Sequence, residues 1–256
     1  MLAAACASAV GTVKPATSPP GSPADLVDQA LNKVADLQQQ ADRKPLKNRE
    51  GDRIPVNEDR VTLGLYVALS NRQSWPVLRQ ALTQAINAGD GTTLSEFTSG
   101  TPEARNFITG GELLAVDCVD KLFPTDLTAF RQLADRAKKV APRFGSLVWL
   151  WLACTYWPAK TTRQPRALAA DGAPPIVVIG TTRDSRTPYE WAQSLAGQLK
   201  SGVLLSYDGD GHTAYLLNNE KCIRQPVENY LINGQPPKAG TRCKQTLPKL
   251  GSKGRV

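Results

Sequence analysis

Two short apolar runs late in the chain, IVVI at 176–179 and VLLSY at 203–207, constrain the fold more than any other feature. The first is entered through Pro174 and Pro175, is rich in β-branched residues and leaves through Gly180. That is the pattern of a buried parallel strand at Ile176 to Ile179. Between the runs, TPYEWAQSLAGQL sets Trp191, Leu195 and Leu199 at helical spacing, and Gly202 precedes the second run. Strand, helix and strand in this order predict a parallel pair with a right-handed crossover. A last helix over Cys222 to Ile232 is expected to end at Asn233-Gly234.

Upstream, the chain reads at helical spacing. Residues 11–23 are rich in Pro, Ser, Gly and Thr and read as a linker. Leu26, Ala30, Val34 and Leu37 then recur at helical spacing, with Asp25 as the expected cap and Pro45 as the stop. Asn57 is expected to cap a helix near VTLGLYVALS, and Trp75-Pro76 to open another that Gly89 ends. Residues 93–97 and 111–119 also read as helical. So does LTAFRQLADRAKKVAPRF, where Phe130, Leu133 and Ala137 make one face. Up to about Phe144 the chain reads as helices with few strands.

Several function classes are weakly supported or excluded. No apolar run is long enough to span a bilayer, so no transmembrane segment is expected. The net charge of +8 is concentrated in the tail from Pro236, which carries Lys238, Arg242, Lys244, Lys249, Lys253 and Arg255 without an acid. No nucleic-acid-binding motif accompanies it, so the tail reads as a solvated terminus and nucleic acid is not an expected partner. There is no CxxC, and His212 is the sole histidine, so neither a metal nor another cofactor is expected. MLAAACASAV lacks the basic n-region and long h-region of a signal peptide, so lipidation of Cys6 is not expected.

Ligands of parallel α/β sheets gather at the carboxyl ends of the strands. Asp184 follows the first run and His212 the second. Neighbouring strands lie about 4.8 Å apart, so loops from the same ends can bring a carboxylate to an imidazole. Such a carboxylate would fix the imidazole tautomer and leave the other nitrogen as a base. On spacing alone, a helix cap or turn for Asp184 and an incidental loop position for His212 fit equally well.

GTTRDSRTPYEWAQSLAGQL, GVLLSYDGDGHTAY and NGQPPKAGTRC together resemble the C-terminal domain of the tripeptidyl-aminopeptidase-like hydrolases. These are secreted or cell-envelope serine peptidases of the α/β-hydrolase class. The similarity extends back through CTYWP and AVDCVD to the helical region near Asp25. It implies an α/β fold: the C-terminal strand–helix–strand part of an α/β-hydrolase, preceded by a mainly helical lid. The boundaries expected are a linker at 1–23, a lid at 24–157, the hydrolase segment at 158–243 and a basic tail at 244–256. The family's acid falls on Asp184, in its D-x-x-TPY segment, and its histidine on His212, in GDGHT. The resemblance also suggests that Cys222 ties to Cys243 and Cys118 to Cys154. Four free thiols in a reducing compartment are the alternative.

One departure is large: G-x-S-x-G, the elbow that carries the nucleophile in this family, occurs nowhere in the 256 residues. Ser146 in FGSLVW and Ser22 in PGSPA do not match it. A truncated reading frame, a split subunit and a degenerate relative all fit, and the start at MLAAAC favours the first. The expectation is therefore a hydrolase chain with the acid and base of a triad and no nucleophile, inactive alone. Its partners would be a peptide or ester substrate in the intact parent and an N-terminal hydrolase half. The second reading is a non-catalytic cell-envelope binding protein on the same scaffold. Trp149, Trp151, Tyr156 and Trp157 are open as core or as a substrate pocket. Glu112, Asp117 and Asp120 are open as ligands for a peptide amino group or as solvated helix charges.

Overall fold

The computed structural model describes residues 21–50, 52–99, 111–159, 166–218 and 220–246. Cys6, most of the expected linker and the tail from residue 247 lie outside the described residues. The chain divides into two compact units: residues 1–68 with 74–164, and residues 69–73 with 165–256.

The first unit is helical: α1 Pro23–Arg43, α2 Glu58–Leu69, α3 Trp75–Ala88, α4 Thr92–Ser99, α5 Gly111–Asp120 and α6 Leu127–Val140, then a 3-10 stretch, Gly145–Tyr156. Ser22, not Asp25, caps α1: its hydroxyl accepts from the Asp25 amide at 3.2 Å, with Pro23 behind it in the first turn. Only the C-terminal half of α1 is buried, through Leu37, Gln38 and Ala41, so Leu26 is 58% exposed despite its helical spacing. Asn57 caps α2 by accepting from the Arg60 amide, and Gly89 closes α3 at φ 63°.

Leu37, Val56, Val61, Leu65, Leu78, Ala81, Ala85 and Leu94 form the main core of this unit. Gly64 sits where a Cβ would come within 2.6 Å of the Leu94 carbonyl, so α2 and α4 approach through that glycine. Arg60 is buried and donates four side-chain hydrogen bonds, to Thr98, Ser99, the Ile54 carbonyl and Asp52. A smaller cluster packs Phe130, Ala134 and Val148 with Trp151. Trp149 lies 5.3 Å from Phe130, while Tyr156 is 66% exposed, so the aromatic run is divided between packing and surface. Asp117 is buried and pairs with Lys121 at 2.7 Å, which removes it from the solvated charges. Cys118 and Cys154 are joined in this unit, with Cα atoms 4.8 Å apart.

The second unit is a three-stranded parallel sheet in the order β1-β2-β3, with β1 Ile176–Arg183, β2 Gly202–Asp210 and β3 Arg242–Lys244. Helices α7 Tyr189–Gln198 and α8 Lys221–Asn233 connect the strands. The order β1-α7-β2 is a strand–helix–strand unit with the parallel register Ile176↔Gly202 to Thr181↔Tyr207. β1 runs four residues beyond the expected Ile179, because Thr181 and Thr182 keep the strand's β-branched character. Among the described residues β1 pairs on one side only, and most of its residues are partly exposed.

Leu205, Tyr207, Ile223, Val227 and Cys243 form the core of this unit. Trp191 is 48% exposed, despite its helical spacing with Leu195 and Leu199. The tail turns back into the fold as β3, and Cys243 on that strand is joined to Cys222 on α8. No described helix is long and apolar enough to cross a membrane.

Candidate active site

β1 and β2 are parallel neighbours, so their carboxyl ends emerge side by side. The register shifts between Thr181 and Arg183, and Arg183 pairs with Asp210. Arg183 there bonds Asp210 at 2.5 Å and Asp208 at 3.2 Å, while Arg242 reaches Asp208 at 3.4 Å from β3. Burial pushes the Asp208 carboxyl up, but the bonds from Arg183, Thr182 and Arg242 outweigh it, so it titrates below its ordinary range. This ion network ties the carboxyl ends of β1 and β2 to each other and to Arg242 at the start of β3, directly before the loops that follow β1 and β2.

The loop after β1 is shaped by Asp184. Its Oδ1 accepts from the amides of Arg186 at 2.8 Å and Thr187 at 2.9 Å, a side-chain-closed turn that leads into α7. Tyr189 starts α7 against Gly180, where a Cβ would stand 2.8 Å from the Tyr189 ring and 2.7 Å from Ala192 Cβ. The Tyr189 hydroxyl pairs with Ser206 Oγ at 2.6 Å. A short loop is thereby held close to the sheet.

The loop after β2 turns through Gly211 at φ 100° and Thr213 at φ 52°, with His212 between them. The Gly211 amide donates to the Arg183 carbonyl at 3.3 Å, which extends the link between the loops past the strands. A glycine fits the first of these positions at no steric cost.

Together the loops place His212 Nδ1 at 2.9 Å from Asp184 Oδ2 and 3.1 Å from Oδ1. The Thr187 hydroxyl donates to Asp184 Oδ2 at 3.0 Å and lies 3.3 Å from His212 Nδ1. The Asp184 side chain is 4% exposed and the imidazole 21%. Burial pushes the Asp184 carboxyl up, but the His212 hydrogen bond, the Thr187 and Arg186 amides and the imidazole's charge together hold it below its usual value. An ionised carboxylate only accepts, so the shared proton belongs to His212 Nδ1. Nε2 then carries a lone pair and makes no hydrogen bond among the described residues. The arrangement can take a proton at Nε2 and hold the resulting cation against a buried carboxylate.

The two residues singled out from the strand-end pattern are thus brought together. Thr187 and Arg186, which hold the carboxylate, were not singled out, although Thr187 lies in the quoted TPY segment. The two serines weighed as nucleophiles have other partners in the helical unit: Ser146 Oγ donates to Glu58 Oε1 at 3.3 Å, and Ser22 caps α1. Among the described residues no group of three His, Cys, Asp or Glu side chains is placed to hold a metal ion.

A family profile described as TAP-like protein matches residues 141–243. Serine protease Hip1 of Mycobacterium tuberculosis is 28% identical over 249 residues, 94% of this chain and 46% of its own length. Carboxylesterase B of the same organism is 32% identical over 190 residues, covering 71% of this chain and 36% of the relative. Tripeptidyl aminopeptidase of Streptomyces lividans is 28% identical over 163 residues, 63% of this chain and 30% of the relative. The chain spans less than half the length of these curated relatives.

Proposed function

From the premise that residues 141–243 carry the TAP-like domain of the α/β-hydrolases, we propose that Asp184 and His212 are the acid and base of a Ser-His-Asp triad. The observation that carries the reading is the 2.9 Å bond between His212 Nδ1 and Asp184 Oδ2 at the carboxyl ends of neighbouring parallel strands. In this role Asp184 holds the tautomer and stabilises the imidazolium. His212 Nε2 removes the proton from a serine hydroxyl as it attacks a carbonyl carbon. It then returns that proton to the leaving amine or alcohol, and water repeats the cycle to free the enzyme.

The substrate class proposed is peptides or esters, in keeping with relatives named as a serine protease, a tripeptidyl aminopeptidase and a carboxylesterase. The 256 residues contain no G-x-S-x-G, so the serine and its oxyanion donors are proposed to come from sequence outside them. Base and nucleophile act as a unit, and this chain by itself is expected to form no acyl-enzyme. The helical unit is proposed as the lid, with the linker, hydrolase segment and tail as divided above. Two disulfides fit an oxidising compartment, which supports a secreted or envelope location.

A fluorophosphonate probe tests the proposal. The chain alone is expected to stay unlabelled. A polypeptide that joins it to a nucleophile-bearing segment is expected to label at that serine, and His212→Ala to abolish the labelling. Labelling at a serine of this chain, or labelling indifferent to His212→Ala, would overturn it.

A further inference from the structure

Ser70 is buried, 4% exposed, and belongs to the short segment 69–73 that is part of the second unit. Its carbonyl accepts from the His212 amide at 2.9 Å. Its hydroxyl accepts from Arg186 Nε at 2.8 Å. The Arg186 amide in turn donates to Asp184 Oδ1 at 2.8 Å. One residue therefore grips the histidine loop with its backbone and the aspartate loop with its side chain.

That double grip lies where the site is least fixed by secondary structure. His212 sits between two residues of positive φ, outside the strands and helices. The Asp184 turn depends on two amides whose direction follows the Arg186 and Thr187 backbone. An anchor on Arg186 fixes that backbone, and an anchor on the His212 amide fixes the imidazole's approach. Arg186 is 116 residues from Ser70 in sequence, so the segment closes both loops from a distant part of the chain.

We propose that Ser70 is a positioning residue that locks the Asp184 and His212 loops to one another, an inference that rests on the reading of those two as acid and base. Its hydroxyl and its carbonyl act separately. Ser70→Ala keeps the carbonyl bond to His212 and removes the bond from Arg186 to the hydroxyl. Ser70→Thr keeps both.

His212 is the sole histidine, so the ring nitrogens of histidine-labelled protein give one set of 15N signals. The readout is the ratio of Nδ1–H to Nε2–H tautomer in the full chain, at a pH where the ring is neutral. In the unaltered protein the proton sits on Nδ1. Ser70→Ala lowers the ratio by roughly two- to tenfold, the span open to one hydrogen bond, and Ser70→Thr restores it. If Ser70→Ala fails to fold, Arg186→Met cuts the same bond from its half-buried end and is read in the same way. A ratio unchanged in the folded variant overturns the role of Ser70 alone. An unaltered protein with its proton on Nε2 removes the acid–base reading itself.

Discussion

The Tyr189 hydroxyl meets Ser206 Oγ at 2.6 Å, and that contact bonds the start of α7 to the middle of β2, across the strand whose end carries Asp184. The turn Asp184–Pro188 is thereby pinned at its far side as well as at its strand. The placement of Asp184 beside His212 rests on this packing as well as on the two polar residues.

Gly180 makes the close approach possible, and replacing it tests the point. A Cβ there would meet Ala192 Cβ at 2.7 Å and the Tyr189 ring at 2.8 Å, so α7 must move out. Gly180→Ala is expected to lower stability by about 1–3 kcal/mol, as overpacking does. Urea denaturation followed by fluorescence measures it. A midpoint equal to that of the unaltered protein would remove the proposed contact from the account.

Acid stability separates two carboxyls of opposite character. Asp184 titrates low in the folded chain, because its hydrogen bonds and the imidazole outweigh burial. Its stabilising contribution is complete above the unfolded-state value near 3.8 and is lost as pH falls through the lower folded value. Asp184→Asn is therefore expected to destabilise at neutral pH, by a margin that shrinks below about pH 4. Glu58 has the other sign: burial first, then Asp59 and Asp42, push its carboxyl up. Its ionisation costs stability above the raised value, a cost that disappears as pH falls below the unfolded value near 4.5. Glu58→Gln is expected to be neutral or stabilising at pH 7 and to lose that advantage in acid. Denaturation midpoints from pH 3 to 7 for both variants check the two signs.

How much of this was legible in the sequence varied with the range of the interactions. The helices of the first unit were readable from caps and 3.6 periodicity, because Asn57, Pro76 and Gly89 act locally. β1 and β2 were readable from their short apolar runs. Three features were not. β3 is three residues in a basic segment, made by pairing to β2, with only Cys243 pointing inward. The stretch Gly145–Tyr156 is apolar on all sides and carries no period, and it folds back through Gly145, where a Cβ would meet the Ala137 carbonyl at 2.5 Å. Ser70 has no local signal, since both of its contacts to the site are tertiary. The strand-end carboxylate and imidazole were legible because parallel topology forces both to one edge of the sheet. Their supports were not, because those depend on side chains meeting across the fold.

The Cys222–Cys243 bond ties β3 to α8 across 21 residues. In the chain-entropy account a loop of that size is worth about 3 kcal/mol. Replacing both with Ser is expected to lower stability by about that amount and to loosen β3, which has only three paired residues to hold it. Hydrogen exchange at Cys243 and Lys244 reads the second effect. Protection unchanged in the double variant would show that pairing alone holds the strand.

The central claim is that Asp184 holds the proton of His212 on Nδ1 and leaves Nε2 as the base. Long-range 15N–1H correlation of the single imidazole, in the unaltered chain and in Asp184→Asn, reads it most directly. The account predicts one dominant Nδ1–H form in the unaltered chain and a mixed or reversed population when the carboxylate becomes an amide. A ring that already carries its proton on Nε2, or one indifferent to the substitution, would contradict it.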